Sequence, residues 1–273
     1  MVKSPYGKVV IITGASSGIG KVTAEYLVQQ GYVVYGTSRK GNNGDSTLAK
    51  VTMLQLDVCN DESVKNAVEF VLRKEGRLDI LINNAGFGIA GAVEDTSTDE
   101  VISQFDTNFF GVHRMCKAVM PIMRKQGSGL IINVSSVAAF FTIPYQSIYS
   151  ATKAAIEVMS EAMRMEAEPF GIKVALVEPG DTKTGFTGSR MTTLEAQSDQ
   201  SVYAERFKKG LDVMMRDEEN GVDPIVVAEA IAKLAANKNP PVRVIVGAKY
   251  KLLSVAKRIL PARIVLYGLS KIY

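Results

Sequence analysis

The sequence predicts a single α/β domain built on a doubly wound parallel sheet of about seven strands with helices on both faces. Three observations carry this expectation. Short β-branched runs alternate with amphipathic helical segments along the chain. The strand segments are near-continuous apolar runs, the pattern of a parallel sheet covered on both sides. The chain has 273 residues, 47% of them apolar, enough for one large core.

The elements follow in order. "KVVIITG" reads as the first strand, and "GIGKVTAEYLVQQG" as a helix closed by Gly31. "YVVYGTS" and "VTMLQLDV" are the second and third strands. "NDESVKNAVEFVLRKEG" is a helix opened by an Asn60 or Asp61 cap and stopped at Gly76. "LDILINNAG" is the fourth strand, followed by one long helix carrying Pro121, "STDEVISQFDTNFFGVHRMCKAVMPIMRKQG". "GLIINVSS" is the fifth strand, and "YSATKAAIEVMSEAMRMEAEPFG" a helix ending near Pro169. "IKVALVEPG" is the sixth strand, "DPIVVAEAIAKLAAN" a helix with Pro224 in its first turn, and "VRVIVG" the seventh strand. Such alternation implies right-handed βαβ crossovers. Residues 184–217 break it at a strand's carboxyl end, where a substrate lid would sit. An amphipathic tail occupies residues 248–273.

Composition narrows the function. The net charge of +4 suits an anionic small ligand and is too small to argue for nucleic acid. Cys59 and Cys116 form no CxxC pattern, so no disulfide framework or thiolate metal site is expected, and a reducing, cytoplasmic setting is. The N-terminus lacks a secretory pattern. The longest apolar-looking run, "LIINVSSVAAFFTIP", is interrupted by Asn133, Ser135 and Ser136 and falls short of the ~18 residues of a spanning helix. His113, the one histidine, reads as a helical residue rather than a metal ligand; no metal is expected.

"TGASSGIG" lies between the first strand and the first helix. Gly14, Gly18 and Gly20 permit a tight turn and close helix packing. With Ser16, Ser17 and Ile19 they would turn free amides toward a pyrophosphate. Tyr149 and Lys153 stand four apart and leave one face of a helix; alone, such a pair could be surface decoration. The TGxxxGxG spacing, "NNAG" ending at Gly86, Asn108, Ser136, "YSATK" and Pro179–Gly180 occur in that order. Together they resemble the short-chain dehydrogenase/reductase family over nearly the whole chain. The resemblance implies a Rossmann-type fold, a nicotinamide-dependent oxidoreductase without a catalytic metal, and a homo-dimer or homo-tetramer. It implies Tyr149 as acid/base, Lys153 as its partner and ribose ligand, Ser136 as carbonyl anchor and Asn108 as a water-holding group. Asn84, Ala85 and Gly86 would lie along the cofactor. So would Thr182 and Thr184, although a branched apolar residue is common in the family where Thr182 stands. "GFGIAGAVEDTS" with "RMCKAVMPIMRKQGSG" resembles the branch of steroid, retinoid and acyl-lipid keto-reductases.

The chemistry supports these roles. Hydride arriving at a carbonyl carbon builds charge on the oxygen, which then needs a proton donor and a hydrogen bond. Bringing a phenol from ~10 to neutrality requires about 4 kcal/mol. One cation ~4 Å away at an effective dielectric of ~20 supplies about that. Lys153 is therefore expected to lower the Tyr149 phenol.

The second strand ends in Ser38, Arg39 and Lys40 and lacks the carboxylate that would receive ribose hydroxyls. NADP(H) is thus expected over NAD(H), with Arg39 on the 2′-phosphate, although Arg39 alone could be a solvated loop charge. Asp57 and Val58 would line the adenine pocket. Phe87, Ala138, Phe140, Phe141, Pro144 and Tyr145 are read as a lipophilic substrate pocket. The lid would add Phe186, Met191, Leu194, Tyr203, Phe207, Leu211, Met214 and Met215. The basic tail could rest on a membrane surface, cap the pocket or meet another subunit, with packing on protein ranked above lipid. The leading reading is an NADP(H)-dependent carbonyl–alcohol oxidoreductase for a lipophilic substrate. The same fold acting on a polar sugar or an acyl thioester, or serving as a non-catalytic dinucleotide sensor, are the alternatives.

Overall fold

The computed structural model describes residues 4–41, 50–185, 188, 190–198 and 201–273. In chain order the elements are β1 (Val9–Ile12), α1 (Gly18–Gln29), β2 (Val33–Ser38), β3 (Thr52–Gln55), α2 (Asp61–Glu75) and β4 (Ile80–Asn83). Next come β5 (Ile89–Ala90), α3 (Thr98–Phe105), α4 (Gly111–Gln126), β6 (Gly129–Val134), α5 (Ser147–Ala167) and β7 (Ile172–Pro179). The chain closes with β8 (Met191–Thr192), α6 (Ala204–Glu219), α7 (Pro224–Ala235), β9 (Arg243–Val246), α8 (Ala248–Ile259) and α9 (Ala262–Ile272).

All seven predicted strands join one parallel sheet in the order β3-β2-β1-β4-β6-β7-β9. The fold is a Rossmann-type α/β sheet. Alternate strand residues divide between its two faces. Ile11, Leu81, Ile131 and Leu176 pack with Met115, Val119 and Ile156 from α4 and α5. Val10, Ile12, Ile80, Ile82 and Ile132 pack with Leu27 of α1 and Ile231 of α7. The strand order reverses between β1 and β4, which opens a crevice at the carboxyl ends of those strands.

Three regions differ from the sequence expectation. The single long helix is divided: a π-helical segment at Asp106–Phe110 separates α3 from α4 and contains Asn108. Such wide turns cluster at functional sites. The stretch that breaks the alternation holds regular structure: β8 pairs parallel with β5, and α6 follows. The tail is two helices with Pro261 between them. The α2 cap is Asn60, which accepts from the Ser63 amide at 2.9 Å.

Candidate active site

The glycine-rich turn forms one end of a crevice of about 650 Å³. Gly14 turns at φ +67°, and a Cβ there would come within 2.9 Å of the Ala85 Cα. A Cβ on Gly20 would lie 2.3 Å from the Gly14 carbonyl oxygen, so α1 packs directly on the turn. Ser17 caps α1 without a side-chain hydrogen bond. The opening amides of α1 thus receive no bond from their cap, as an anion site requires. Asn84 Nδ2 donates to the Thr13 and Gly14 carbonyls at 3.0 and 3.1 Å, and Thr13 Oγ1 accepts from the Asn84 and Ala85 amides, both at 3.0 Å. The ends of β1 and β4 are welded into one rigid floor. Ser38 and Arg39 line the same crevice, as do Asp57 and Val58. Asp57 Oδ1 accepts from the Cys59 amide at 3.0 Å. A cradle closed to side chains and an uncapped helix start fit a nicotinamide dinucleotide.

The centre of the crevice is built by β6 and α5. Ser136 caps a 3₁₀ turn, its Oγ accepting from the Ala138 amide at 3.1 Å. It also hydrogen-bonds the Tyr149 phenol. Lys153 is buried; its ammonium donates to the Val134 carbonyl at 2.8 Å and lies 5.7 Å from the centre of the Tyr149 ring.

Around the phenol, burial and the neighbouring charges act in opposite directions. Burial pushes Tyr149 up to about 12, and only the Ser136 hydrogen bond and the Arg190 charge pull it down. Burial also lowers Lys153 to about 8. The packed protein around the phenol outweighs the neighbouring charges, although Tyr149 itself is half-buried and lines the crevice.

Asn108 lies behind this wall, fully buried. Its Nδ2 donates to the Phe87 carbonyl at 2.9 Å and to Thr152 Oγ1 at 3.2 Å, while Oδ1 accepts from the Phe87 amide at 3.0 Å. Both side-chain N–H groups are committed, so only the second lone pair of Oδ1 remains for a water. A Cβ on Gly86 would meet Asn108 Oδ1 at 3.1 Å and Lys153 Nζ at 3.8 Å. The crevice thus gathers every sequence-predicted site residue except Asn108 and Gly20, which support it from behind. Pro179, Gly180, Thr182 and Thr184 line its far side.

The substrate end departs from the sequence reading. Of the expected apolar residues, Phe87, Ala138, Met191 and Met214 line the crevice. Phe140, Phe141, Pro144, Leu194, Tyr203, Leu211 and Met215 do not. Tyr145 and Phe207 also stay out of the lining, because their rings pack edge-on with centroids 5.5 Å apart. Tyr203 is drawn outward by Glu94, to which its phenol donates at 2.8 Å. Phe186 lies outside the described residues.

Sequence reasoning missed Gln146, Asp181, Glu218 and Tyr273, all of which line the crevice. A buried ion pair joins Arg190 to Glu218. With its amide oriented by that pair, Gln146 Oε1 accepts from Arg190 Nε at 3.0 Å and Nη2 at 3.2 Å. Asp181 accepts from the Tyr250 phenol. Burial and the charges of Asp217 and Glu218 push Asp181 up to about 6. Burial, with the charges of Asp181, Asp217 and Glu218, raises the Tyr273 phenol to about 12. One signal for α6 was legible: Phe207, Leu211 and Met214 stand at helical spacing.

The chain is similar to known proteins. A family model described as short chain dehydrogenase matches residues 8–195. The 3-ketodihydrosphingosine reductase of Bacteroides thetaiotaomicron is 48% identical over 97% of this chain and 98% of its own length. The solved structure of ElxO with NADP bound superposes with a TM-score of 0.75 at 26% identity, covering 90% of this chain and 99% of that one. The 3-ketoacyl-(acyl-carrier-protein) reductase of Brucella melitensis complexed with NADH superposes at 0.73 and 27% identity, covering 88% and 96%.

Proposed function

The chain belongs to the short-chain dehydrogenase/reductase family, and we propose that it reduces the ketone of a long-chain, amine-bearing lipid with NADPH. The observation that carries this reading is the Ser136–Tyr149 hydrogen bond, with buried Lys153 beside it, on the wall of the crevice that begins at the glycine turn.

A nicotinamide dinucleotide bound along the turn would supply the hydride. The chain's own groups do the rest. The Ser136 hydroxyl donates to the carbonyl oxygen and holds it beside the phenol. As charge builds on that oxygen, Tyr149 gives up its proton to it. With the phenol pushed up to about 12, that proton is present throughout the neutral range. Lys153 keeps its charge close to the phenolate left behind. Asn108 fixes the Phe87 backbone, and with it the chain that faces the reacting centre.

NADPH is preferred on this reading because Ser38 and Arg39 stand where a carboxylate would repel the extra phosphate. Asp181 and Glu218 would receive an ammonium adjacent to the ketone, the group that a 3-ketodihydrosphingosine carries. Phe87, Met191 and Met214 would receive its alkyl chain. The described residues of 184–217 would serve as the lid. Exposed Phe110, Val158 and Met165 on the π segment and α5 favour a homo-oligomer.

The test is NADPH consumption with a long-chain 2-amino-3-ketone, beside retinal, a steroid ketone and a hexose, with NADH run in parallel. Turnover of the amino ketone that vanishes in Tyr149→Phe while NADPH still binds supports the reading. No turnover of any lipid ketone sinks it, and equal rates with NADH sink the cofactor preference.

A further inference from the structure

We infer that α8 and α9 form a docking face for an anionic lipid surface, set beside the mouth of the crevice. The inference does not depend on the reductase reading.

Neither helix has a buried residue. Leu252, Val255 and Ile259 follow i, i+3, i+7 spacing and share one face of α8, and are 74, 54 and 75% exposed. Ile264 and Tyr267 continue the exposed apolar surface on α9, at 54 and 65%. A free surface of this kind is costly in water and calls for a cover.

Charge identifies the cover. Residues 248–273 hold Lys249, Lys251, Lys257, Arg258, Arg263 and Lys271 and no Asp or Glu. The whole chain has 32 basic and 28 acidic residues, so its positive excess sits in this segment. Lys251 and Arg258 flank the α8 stripe on one side and Lys249 on the other. An apolar stripe with cations along both borders matches the boundary between acyl chains and anionic headgroups. A second copy of this chain is a poor occupant: a two-fold contact through this face would set six cations against the same six. Neither helix crosses a bilayer; at 12 and 11 residues they fall short of a span, and no helix among the described residues is long and apolar enough.

The face is tied to the crevice. Tyr273, one residue beyond α9, lines it, and the Tyr250 phenol of α8 donates to Asp181 on its wall. Docking would therefore hold the Tyr273 end of the crevice close to the lipid surface.

The experiment is co-sedimentation of the full chain with vesicles of phosphatidylcholine, with and without phosphatidylglycerol. Binding is expected only with phosphatidylglycerol and should weaken with salt. Leu252→Glu and Ile259→Glu should each lower it by about tenfold or more. Both positions face solvent, so unchanged melting temperatures are expected and report that the variants are folded. Lack of binding to phosphatidylglycerol vesicles overturns the inference. So does binding indifferent to both substitutions, or a dimer in solution that either substitution splits.

Discussion

At the glycine-turn end of the crevice, main-chain atoms do the shaping; at the Tyr273 end, ionisable side chains do. The first is one tight turn whose amides and carbonyls are fixed by Thr13 and Asn84. The second collects Gln146, Asp181, Glu218 and Tyr273 from four separate segments and links Gln146 to Glu218 through Arg190, a further residue in the chain. A backbone cradle recognises what every dinucleotide shares and tolerates little change. A side-chain assembly can be retuned one residue at a time, so on the proposed reading the test of selectivity belongs there.

The largest effect should come from the rigid end. Gly20→Val places a Cβ 2.3 Å from the Gly14 carbonyl oxygen. Neither atom can give way, so the turn must open. We expect calorimetry to show no NADPH binding, with the protein still folded by circular dichroism; ordinary binding would mean the turn is not the phosphate site. Between the two ends, Tyr149→Phe should cut turnover by roughly 10²–10⁴-fold while leaving NADPH affinity intact. A variant that keeps half its activity would move the proton donor elsewhere.

Arg39→Asp probes a charged side chain at the rigid end. Losing a charge-assisted bond and gaining a repelling carboxylate should weaken NADPH by about tenfold to hundredfold. NADH should be affected far less, and parallel losses would show that Arg39 does not read the phosphate. At the other end, Glu218→Gln should raise KM for an amino ketone by about tenfold, with a neutral ketone little changed. Since the Glu218 charge holds the phenol up, the alkaline limb of the rate profile should also move to lower pH. Equal effects on both ketones would mark Glu218 as a partner of Arg190 only.

The contrast between the ends also explains what could be read from sequence. The seven strands were legible because each is a run of apolar residues with its own boundary, such as "GLIINVSS" before Ser136. The glycine turn was legible because its function is a local backbone shape written within eight residues. Lys153 was found as a residue. The balance of charge and packing around the phenol depends on which distant segments close over the crevice, which spacing does not express. Asp181 stands between Gly180 and Thr182, both recognised, and went unremarked because an acid after a turn is ordinary until Glu218 arrives from α6 to share its cavity. The break at Asn108 was hidden for a related reason: apolar periodicity continues through the π segment with one turn widened.

The smallest expected effect is a pH dependence of stability that separates the groups by sign. Asp181 is raised to about 6 and Glu178 to about 7, both chiefly by burial. Between their unfolded values and these, the folded chain holds protons that the unfolded chain has released, so stability falls as pH rises toward about 7. Lys153 acts in the opposite sense. Lowered to about 8, it is neutral in the folded chain while still protonated in the unfolded one, so stability recovers as pH climbs from about 8 toward its ordinary value. The three groups together predict a shallow minimum between about 7 and 8 in melting temperature, a dip of a few degrees. Asp181→Asn should lessen the fall on the acid side, leaving the Glu178 part, and keep the recovery in place. A long-chain amine added below pH 7 should do the same if its ammonium sits against Asp181, because it stabilises the ionised carboxylate. If the amine shifts only the alkaline side, the ammonium is near Lys153 and the assignment of the Tyr273 end fails.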